Sequence, residues 1–300
     1  MDTNVGRVCP ACGLVKEFAQ VAEVERQASD SFKLFHCPGC GFLFVDPVPL
    51  EQEYFHGEME WPPVISEERK RKKTLYFEAV LGHLKAYLSS RARILDFGCG
   101  YGLFLACAKK AGFLVMGVDV SPGCREYIAT ELPDVNAYPF LSELPDDAGS
   151  FDLITLFECL YYMPDPRQVL RELQQRLRPG GKIFIAVSAN RGWLIALLSY
   201  LGRSPLKLKA NGWLTAAALN GRAYYAFSSK SLPSLLKSMG FVDIHLIRVS
   251  APELSGVKYR IPRFFGWLCL LFMRMITAGA IDLDMKLHIV ATNPLHKKKT

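Results

Sequence analysis

The sequence predicts an α/β protein whose largely parallel sheet is preceded by a small amino-terminal metal-binding module. The first observation behind this prediction is a glycine-rich turn that follows the short apolar run 94–95 and precedes a helix-forming run at 103–108. The second observation is a pair of Cys-x-x-Cys motifs within the first 45 residues. A strand, a glycine turn and a helix in succession form the geometry with which parallel sheets bind a nucleotide-type cofactor.

The glycine-rich turn, residues 96–102, has the order Asp-Phe-Gly-Cys-Gly-Tyr-Gly. Glycine suits a place where the chain turns sharply and its backbone approaches a ligand closely. The spacing differs from the dinucleotide pattern Gly-x-Gly-x-x-Gly, and one such turn is a weak signal. A second signal is Asp119, which ends the apolar run 115–118 about 20 residues downstream, where such folds place the carboxylate that binds ribose hydroxyls.

Together with two later runs, 151–156 and 177–185, these residues resemble the class I S-adenosylmethionine-dependent methyltransferases. The four motifs follow the order of that family and extend over about residues 90–190, so the resemblance is specific. It implies a Rossmann-like seven-stranded methyltransferase sheet, S-adenosylmethionine as the cofactor and methyl transfer as the reaction.

The resemblance also implies which residues contact the cofactor. Those of the glycine turn would hold its amino-acid part, Asp119 would hold the ribose, and Val120 would pack on the adenine. In this family an acid usually meets the adenine amino group, but the aligned position here is Phe140, so we expect apolar and backbone contacts there. The full set of expected contacts is Asp96, Gly98, Gly100, Gly102, Asp119, Val120, Phe140, Leu141 and Phe157.

The candidate catalytic residues follow the fourth predicted strand, where related small-molecule methyltransferases often have Glu-x-x-Glu-His-x-x-Asp-Pro. This chain keeps Glu158 and the Asp-Pro pair at 165–166, but it has Tyr161 and Tyr162 where Glu and His are common. A histidine could take a proton from an acceptor hydroxyl, whereas tyrosine, with a reference pKa of about 10, is a poorer base. We expect Glu158, Tyr161 and Tyr162 to surround the methyl-transfer site, where positioning can suffice because the sulfonium is already a strong electrophile. In the alternative, the two tyrosines only wall the pocket.

The two Cys-x-x-Cys motifs predict a structural zinc ribbon with the ligands Cys9, Cys12, Cys37 and Cys40. Each motif places two thiolates on one turn, and two motifs complete the tetrahedron that zinc prefers. Four thiolates close the site, so we expect the metal to be structural rather than catalytic. A rubredoxin-like iron site and disulfide bonds are the alternatives.

We predict three regions in the chain: a zinc ribbon at 1–46, a connector with an amino-terminal helix at 47–90, and a methyltransferase domain at 91–300. Two prolines shortly after residue 46 indicate the end of the ribbon. The last region carries insertions at about 190–223 and 251–285, which exceed what the core connections need. The ribbon followed by this connector resembles a branch of methyltransferases with an amino-terminal zinc ribbon.

The composition and the charge pattern narrow the expected location and partners. Basic residues are scattered or occur in local runs such as 68–73, which we expect to be a solvated face. Because they form no continuous basic face, a nucleic-acid partner is not expected. The first residues lack the charged and apolar regions of a signal peptide. Nine cysteines without an export signal favour reduced thiols and a cytoplasmic protein.

Two apolar segments, 193–201 and 264–273, lie within the insertions. The second is too short for the roughly 20 residues that span a bilayer. We expect a lid or a dimer contact, or a peripheral membrane contact, because basic residues stand near both segments.

We therefore expect a methyltransferase that acts on an oxygen or a carbon of a small-molecule, sugar or lipid-linked acceptor. One alternative is an RNA base methyltransferase, although the sequence lacks an Asn/Asp-Pro-Pro-Tyr motif for amino methylation. The other is a non-catalytic scaffold that binds S-adenosylmethionine. The intact glycine and acid positions argue against it, whereas the lack of general-base candidates keeps it open.

Overall fold

A computed structural model describes residues 7–18, 20–27, 30–46, 48, 65–145, 150–188, 223–249 and 286–295. The two apolar segments at 193–201 and 264–273 lie outside these described residues. Within the described part of the chain, no helix combines the length and the apolar character that a membrane span requires.

The described strands form a two-stranded hairpin, a four-stranded sheet and a seven-stranded sheet. In chain order they are β1 (Arg7–Val8), β2 (Val15–Lys16), β3 (Gln20–Gln27), β4 (Asp30–His36), β5 (Leu43–Asp46), β6 (Arg93–Phe97), β7 (Leu114–Val118), β8 (Asn136–Tyr138), β9 (Phe151–Phe157), β10 (Leu177–Ser188), β11 (Tyr225–Ala226), β12 (Val242–Leu246) and β13 (Lys286–Thr292). The α-helices are α1 (Glu67–Leu84), α2 (Leu103–Lys110), α3 (Pro122–Glu131), α4 (Pro166–Arg176) and α5 (Ser231–Ser238).

The seven-stranded sheet has the order β12-β13-β10-β9-β6-β7-β8. Five neighbouring strands run parallel to one another: β10, β9, β6, β7 and β8. β13 runs antiparallel to β10, and β12 runs antiparallel to β13. This arrangement confirms the predicted Rossmann-like sheet. The chain moves outward from β6 in one direction through β7 and in the other through β9, and open α/β sheets bind ligands at such a reversal.

Helix α1 lies before the first core strand and packs one face against the seven-stranded sheet. It buries Tyr76, Phe77, Val80, Leu81 and Leu84. Its rings lie against the sheet, with the Phe77 ring centroid 4.9 Å from that of Phe157, at the end of β9. The Tyr76 hydroxyl lies 2.8 Å from Nε2 of His288 in β13. Helix α1 is therefore attached to two strands, β9 and β13.

A side-chain cap marks the start of α4. The Asp165 carboxylate accepts hydrogen bonds from the backbone N–H groups of Arg167 and Gln168, both at 2.9 Å, directly before Pro166 in α4. At the start of α5, the Ser228 hydroxyl accepts a hydrogen bond of 3.0 Å from the Ser231 N–H.

The four-stranded sheet joins the amino-terminal ribbon to the larger domain. Its order is β11-β5-β4-β3, and β11 follows the first insertion in the chain. β11 pairs antiparallel with β5 through Tyr225 opposite Phe44 and Ala226 opposite Leu43. A strand from the second half of the chain therefore completes the ribbon's sheet.

Substitution of Gly102, just before α2, tests how closely α2 and α3 pack. A Cβ atom at Gly102, where φ is 68°, would lie 2.9 Å from Cγ1 of Ile128, whereas at Gly112, where φ is 90°, it would meet no described atom within 4 Å. We expect Gly112→Ala to lower the free energy of unfolding by about 1–2 kcal/mol through the left-handed backbone. Gly102→Ala should lose about 1–3 kcal/mol more through overpacking. Urea unfolding of the cofactor-free protein measures both losses, and equal losses would contradict the proposed packing.

Candidate cofactor and acceptor site

A cavity of about 1330 Å³ lies where β6, β7 and β9 end. Residues at the carboxyl ends of these strands line it, together with one side of α1 and the segments that follow β8 and β9. The cavity therefore occupies the position at which the reversal of strand order predicts a ligand.

The glycine turn forms one wall of this cavity. Gly98 and Gly100 line it, with φ angles of 74° and 51° that favour glycine. A Cβ atom at Gly98 would lie 2.8 Å from Cβ of Cys159, so only glycine lets this turn pass beneath the segment after β9. Gly102, which the sequence grouped with these two, is not among the lining residues and packs against Ile128 instead.

Asp96 brings an acid to the end of β6 inside the protein. It is 2% exposed, and its Oδ1 accepts a hydrogen bond of 2.7 Å from the Thr155 hydroxyl. Burial raises the pKa of Asp96 to about 7, against the opposing effect of the Thr155 hydrogen bond. An ammonium group in the cavity would favour the ionised form of this carboxyl.

Asp119 lies at the end of β7 and is held by two backbone N–H groups. Gly100 N donates to its Oδ2 at 2.7 Å, and Ser121 N donates to its Oδ1 at 2.9 Å. Burial raises the pKa of this carboxyl, and the two hydrogen bonds oppose that rise. Each carboxylate oxygen has more than one acceptor position, so both can also accept ligand hydroxyls.

Four apolar residues expected at the cofactor also line the cavity: Val120, Phe140, Leu141 and Phe157. Phe140 is 44% exposed, so its ring is accessible to a ligand in the cavity. This region therefore offers apolar surfaces and backbone groups next to Asp119.

Glu158, directly after β9, accepts three hydrogen bonds and forms one ion pair. Its φ is 56°, a strained value for a residue other than glycine. Its Oε2 accepts hydrogen bonds from the Tyr161 hydroxyl at 2.7 Å, the Ser188 hydroxyl at 2.8 Å and the Ser188 N–H at 3.1 Å. Lys286 Nζ lies 3.0 Å from the other oxygen, Oε1, as an ion pair, yet Oε1 accepts no hydrogen bond of adequate geometry from any described residue.

The two tyrosines after β9 both line the cavity. Their ring centroids lie 4.5 Å apart. Burial and the neighbouring charge of Glu158 raise the pKa of Tyr161 above its ordinary value, so its hydroxyl stays protonated and donates to Glu158. Tyr161 is thus suited to orienting the carboxylate rather than to taking a proton.

The sequence analysis did not select several of the lining residues, and five of these bear on the chemistry of the site. They are Arg69, Lys73, Tyr76, Ser188 and Lys286. The basic run at 68–73 was interpreted as a solvated face, but Arg69 and Lys73 line the cavity, and burial lowers the pKa of Lys73. Their spacing with Tyr76, at positions i, i+4 and i+7 of one helix, is the signal that could have identified them. Ser188 and Lys286 carry no comparable local signal.

The four cysteines of the amino-terminal motifs form a second site. Their sulfur atoms all lie within 4.8 Å of one another, and the Sγ–Sγ distances of Cys9 to Cys40 and of Cys12 to Cys37 are both 3.7 Å. A tetrahedron with Zn–S bonds of about 2.3 Å has edges of about 3.8 Å, which these separations match. They are too long for disulfide bonds, so the geometry argues against that alternative.

Both turns of this site have the same backbone geometry. The Cys9 N–H donates to Leu14 O at 2.9 Å, and the Cys37 N–H donates to Phe42 O at 2.8 Å. In each turn the N–H of the residue after the second cysteine donates back to the carbonyl of the first cysteine. Two equivalent turns that face each other can supply a closed set of four thiolates.

Comparison with known proteins agrees with this geometry. The methyltransferase-domain family model matches residues 67–246, which is more than half of the chain. A Coxiella burnetii (strain Dugway 5J108-111) protein named ubiquinone biosynthesis O-methyltransferase is 32% identical over 114 residues, covering 36% of this chain and 48% of that protein. A Pseudomonas aeruginosa (strain LESB58) protein of the same name is 28% identical over 119 residues, covering 37% and 50%. The chain thus spans about half the length of these curated relatives.

A solved complex between the Haloferax volcanii Trm112 methyltransferase activator and a methyltransferase contains a similar fold. The TM-score is 0.50 at 18% identity, covering 76% of this chain and 94% of that chain. At this identity the similarity concerns the fold alone. Because the family match, the order of the seven strands and the glycine turn agree, the chain belongs to the class I S-adenosylmethionine-dependent methyltransferases.

Proposed function

We propose that this methyltransferase methylates an oxygen atom of a small-molecule, sugar or lipid-linked acceptor, with Glu158 as the proton acceptor. The observation that carries the proposal is the Glu158 carboxylate, whose Oε2 is held by three hydrogen bonds while Oε1 accepts none from the described residues. The names of the curated relatives support oxygen as the target, because both are called O-methyltransferases.

The residues around the glycine turn fit S-adenosylmethionine by charge. Asp96 would pair with the ammonium of its amino-acid part, and Asp119 would accept the ribose hydroxyls. Arg69 and Lys73 line the same cavity and would offer cations to its carboxylate. Val120, together with the segment at 140–141, would surround the adenine. The bound cofactor supplies an electrophilic methyl group on a sulfonium.

The acceptor side then has two tasks, which are to orient the nucleophilic oxygen and to receive its proton. Glu158 Oε1 can accept a hydrogen bond from an acceptor hydroxyl and take its proton as the oxygen attacks the methyl group. Lys286, 3.0 Å from Oε1, would stabilise negative charge that develops on the acceptor oxygen. Tyr161 and Ser188 would keep the carboxylate in position through the other oxygen.

We propose zinc for the four-cysteine site, in a structural role. The tetrahedral spacing of the thiols and the absence of a nitrogen or oxygen ligand among the clustered residues support a closed structural site. Contact of the segments 193–201 and 264–273 with a membrane stays a prediction from the sequence, because both lie outside the described residues.

Binding of S-adenosylmethionine should depend on pH through Asp96. Because burial raises the pKa of this carboxyl to about 7, the free protein keeps the proton below pH 7 and must lose it to pair with an ammonium. We expect the association constant to rise by up to about tenfold per pH unit between pH 5.5 and 7, and to level off above pH 7. Calorimetry measures this dependence. Asp96→Asn should bind weakly with a flat profile, and a flat wild-type profile would contradict the pairing.

Glu158→Gln should preserve cofactor binding and slow methyl transfer. The amide keeps the shape of the side chain but cannot take a proton, and general bases contribute about 100-fold or more to rate. The rate is measured as transfer from labelled cofactor into cell extract separated into lipid, RNA and soluble fractions. Glu143→Gln, an exposed site outside the cavity, serves as the matched control. A variant with the wild-type rate would exclude Glu158 as the proton acceptor.

The metal assignment predicts one zinc ion per chain in freshly purified, reduced protein. Cys37→Ser should lose most of this zinc, because a hydroxyl is a poor substitute for a thiolate ligand. Cys107→Ser, which changes a cysteine outside the cluster, should keep it. Elemental analysis gives the metal content, and iron or no metal in the wild type would refute the zinc assignment.

A further inference from the structure

The two cysteine turns are attached to the larger domain at different places, the first of them next to the segment that carries the proposed acceptor site. We call residues 158–166, from the end of β9 to the first residue of α4, the acceptor wall. Arg167, the first residue after this wall, donates from Nε to Pro10 O at 2.6 Å and from Nη2 to Ala11 O at 3.0 Å. Pro10 and Ala11 are the two residues between the first pair of cysteines, so Arg167 is hydrogen-bonded directly to the first turn.

The second turn is hydrogen-bonded to the residues just before α5. The Ser228 hydroxyl donates to Cys40 O at 2.8 Å and accepts the Ser231 N–H at 3.0 Å. The Phe42 ring packs against both Tyr225 and Phe227, with centroid distances of 5.5 and 5.0 Å. The start of α5 and the strand before it are therefore built on the second cysteine turn.

β11 and the residue before it lie between the ribbon and the acceptor wall. On the ribbon side, the Val45 N–H donates to Tyr224 O at 3.1 Å. On the wall side, the Tyr224 N–H donates to Tyr161 O at 2.9 Å, and the Tyr225 hydroxyl donates to Pro164 O at 2.7 Å. Since the Tyr161 hydroxyl in turn donates to Glu158, a continuous series of hydrogen bonds leads from the ribbon to that carboxylate.

We infer that the metal-bound ribbon positions the acceptor wall, and through Tyr161 the Glu158 carboxylate, with Arg167 and Tyr225 as positioning residues. A ribbon of this size has little core of its own, so its folding depends on metal binding. Loss of the metal would release the turn carbonyls from Arg167 and Ser228 and would loosen β11. The glycine turn and Asp96 belong to the seven-stranded sheet, so cofactor binding should persist. The functional consequence rests on the proposed methyl transfer at Glu158.

Hydrogen exchange of the full-length protein, before and after removal of zinc with a chelator, tests the inference. We expect faster exchange at 7–46, at 223–231 and at the acceptor wall, with unchanged protection in β6 and β9. The affinity for S-adenosylmethionine should change by less than about threefold, as expected when no residue that binds the cofactor is disturbed. Unchanged protection of the acceptor wall would overturn the inference. So would loss of protection in β6 and β9, because the metal would then support the whole fold.

Arg167→Ala provides a second arm that leaves the cysteines intact. It should keep its zinc and its cofactor affinity, speed exchange at 160–164, and slow methyl transfer by about tenfold or more, since small displacements at a reacting centre have large effects. Arg171→Ala, one turn further along α4, is the matched control and should leave all four quantities unchanged. Arg167→Ala with wild-type exchange at the wall would overturn the inference. Exchange and cofactor affinity need no acceptor, so failure of the proposed methyl transfer can be recognised separately.

Discussion

The hydrogen bonds and the ion pair of the Glu158 carboxylate connect several distant parts of the structure. Its backbone has a left-handed φ of 56°, which costs about 1–3 kcal/mol and persists only where surrounding contacts determine it. Those contacts come from three separate parts of the chain: Tyr161 after β9, Ser188 at the end of β10 and Lys286 at the start of β13. Through Tyr161 the amino-terminal ribbon also reaches this carboxylate. The site is therefore a meeting point of distant segments.

The ionisable groups around the cavity differ in their exposure to solvent and in their charge. Asp96 is buried and has a pKa of about 7. Tyr76, which lines the cavity, and its partner His288 are both neutral, because burial raises the pKa of Tyr76 and lowers that of His288 to about 4. In contrast, the side chains of Glu158 and Lys286 are 27% and 33% exposed overall, although the paired oxygen, Oε1, has almost no accessible surface. A cationic cofactor would thus meet an acid deep in the site, and an acceptor would meet an ion pair nearer the surface.

The two sheets show how a small ribbon can become part of a larger domain. Two residues of β11 extend the ribbon's sheet, and Phe42 packs with Tyr225 and Phe227 on the same side. A strand as short as β11 contributes few hydrogen bonds by itself. The aromatic contacts around it and the hydrogen bonds from Arg167 to the first turn further stabilise the attachment of the ribbon. In this arrangement the predicted boundary near residue 46 separates the two regions in sequence but not in packing.

Local patterns in the sequence were sufficient for the seven-stranded sheet, for the cluster of four cysteines and for the acids at the ends of β6 and β7. Apolar strands, glycine turns and Cys-x-x-Cys spacing each express their structure within a few residues, and the family resemblance supplied their order. Only the tertiary structure assigned Gly102 to helix packing, made Tyr161 a donor to Glu158, and brought Ser188 and Lys286 to the same carboxylate. It also paired β11 with β5. These contacts join residues that are distant in sequence, and no local pattern specifies which distant partner a side chain or a strand edge will meet.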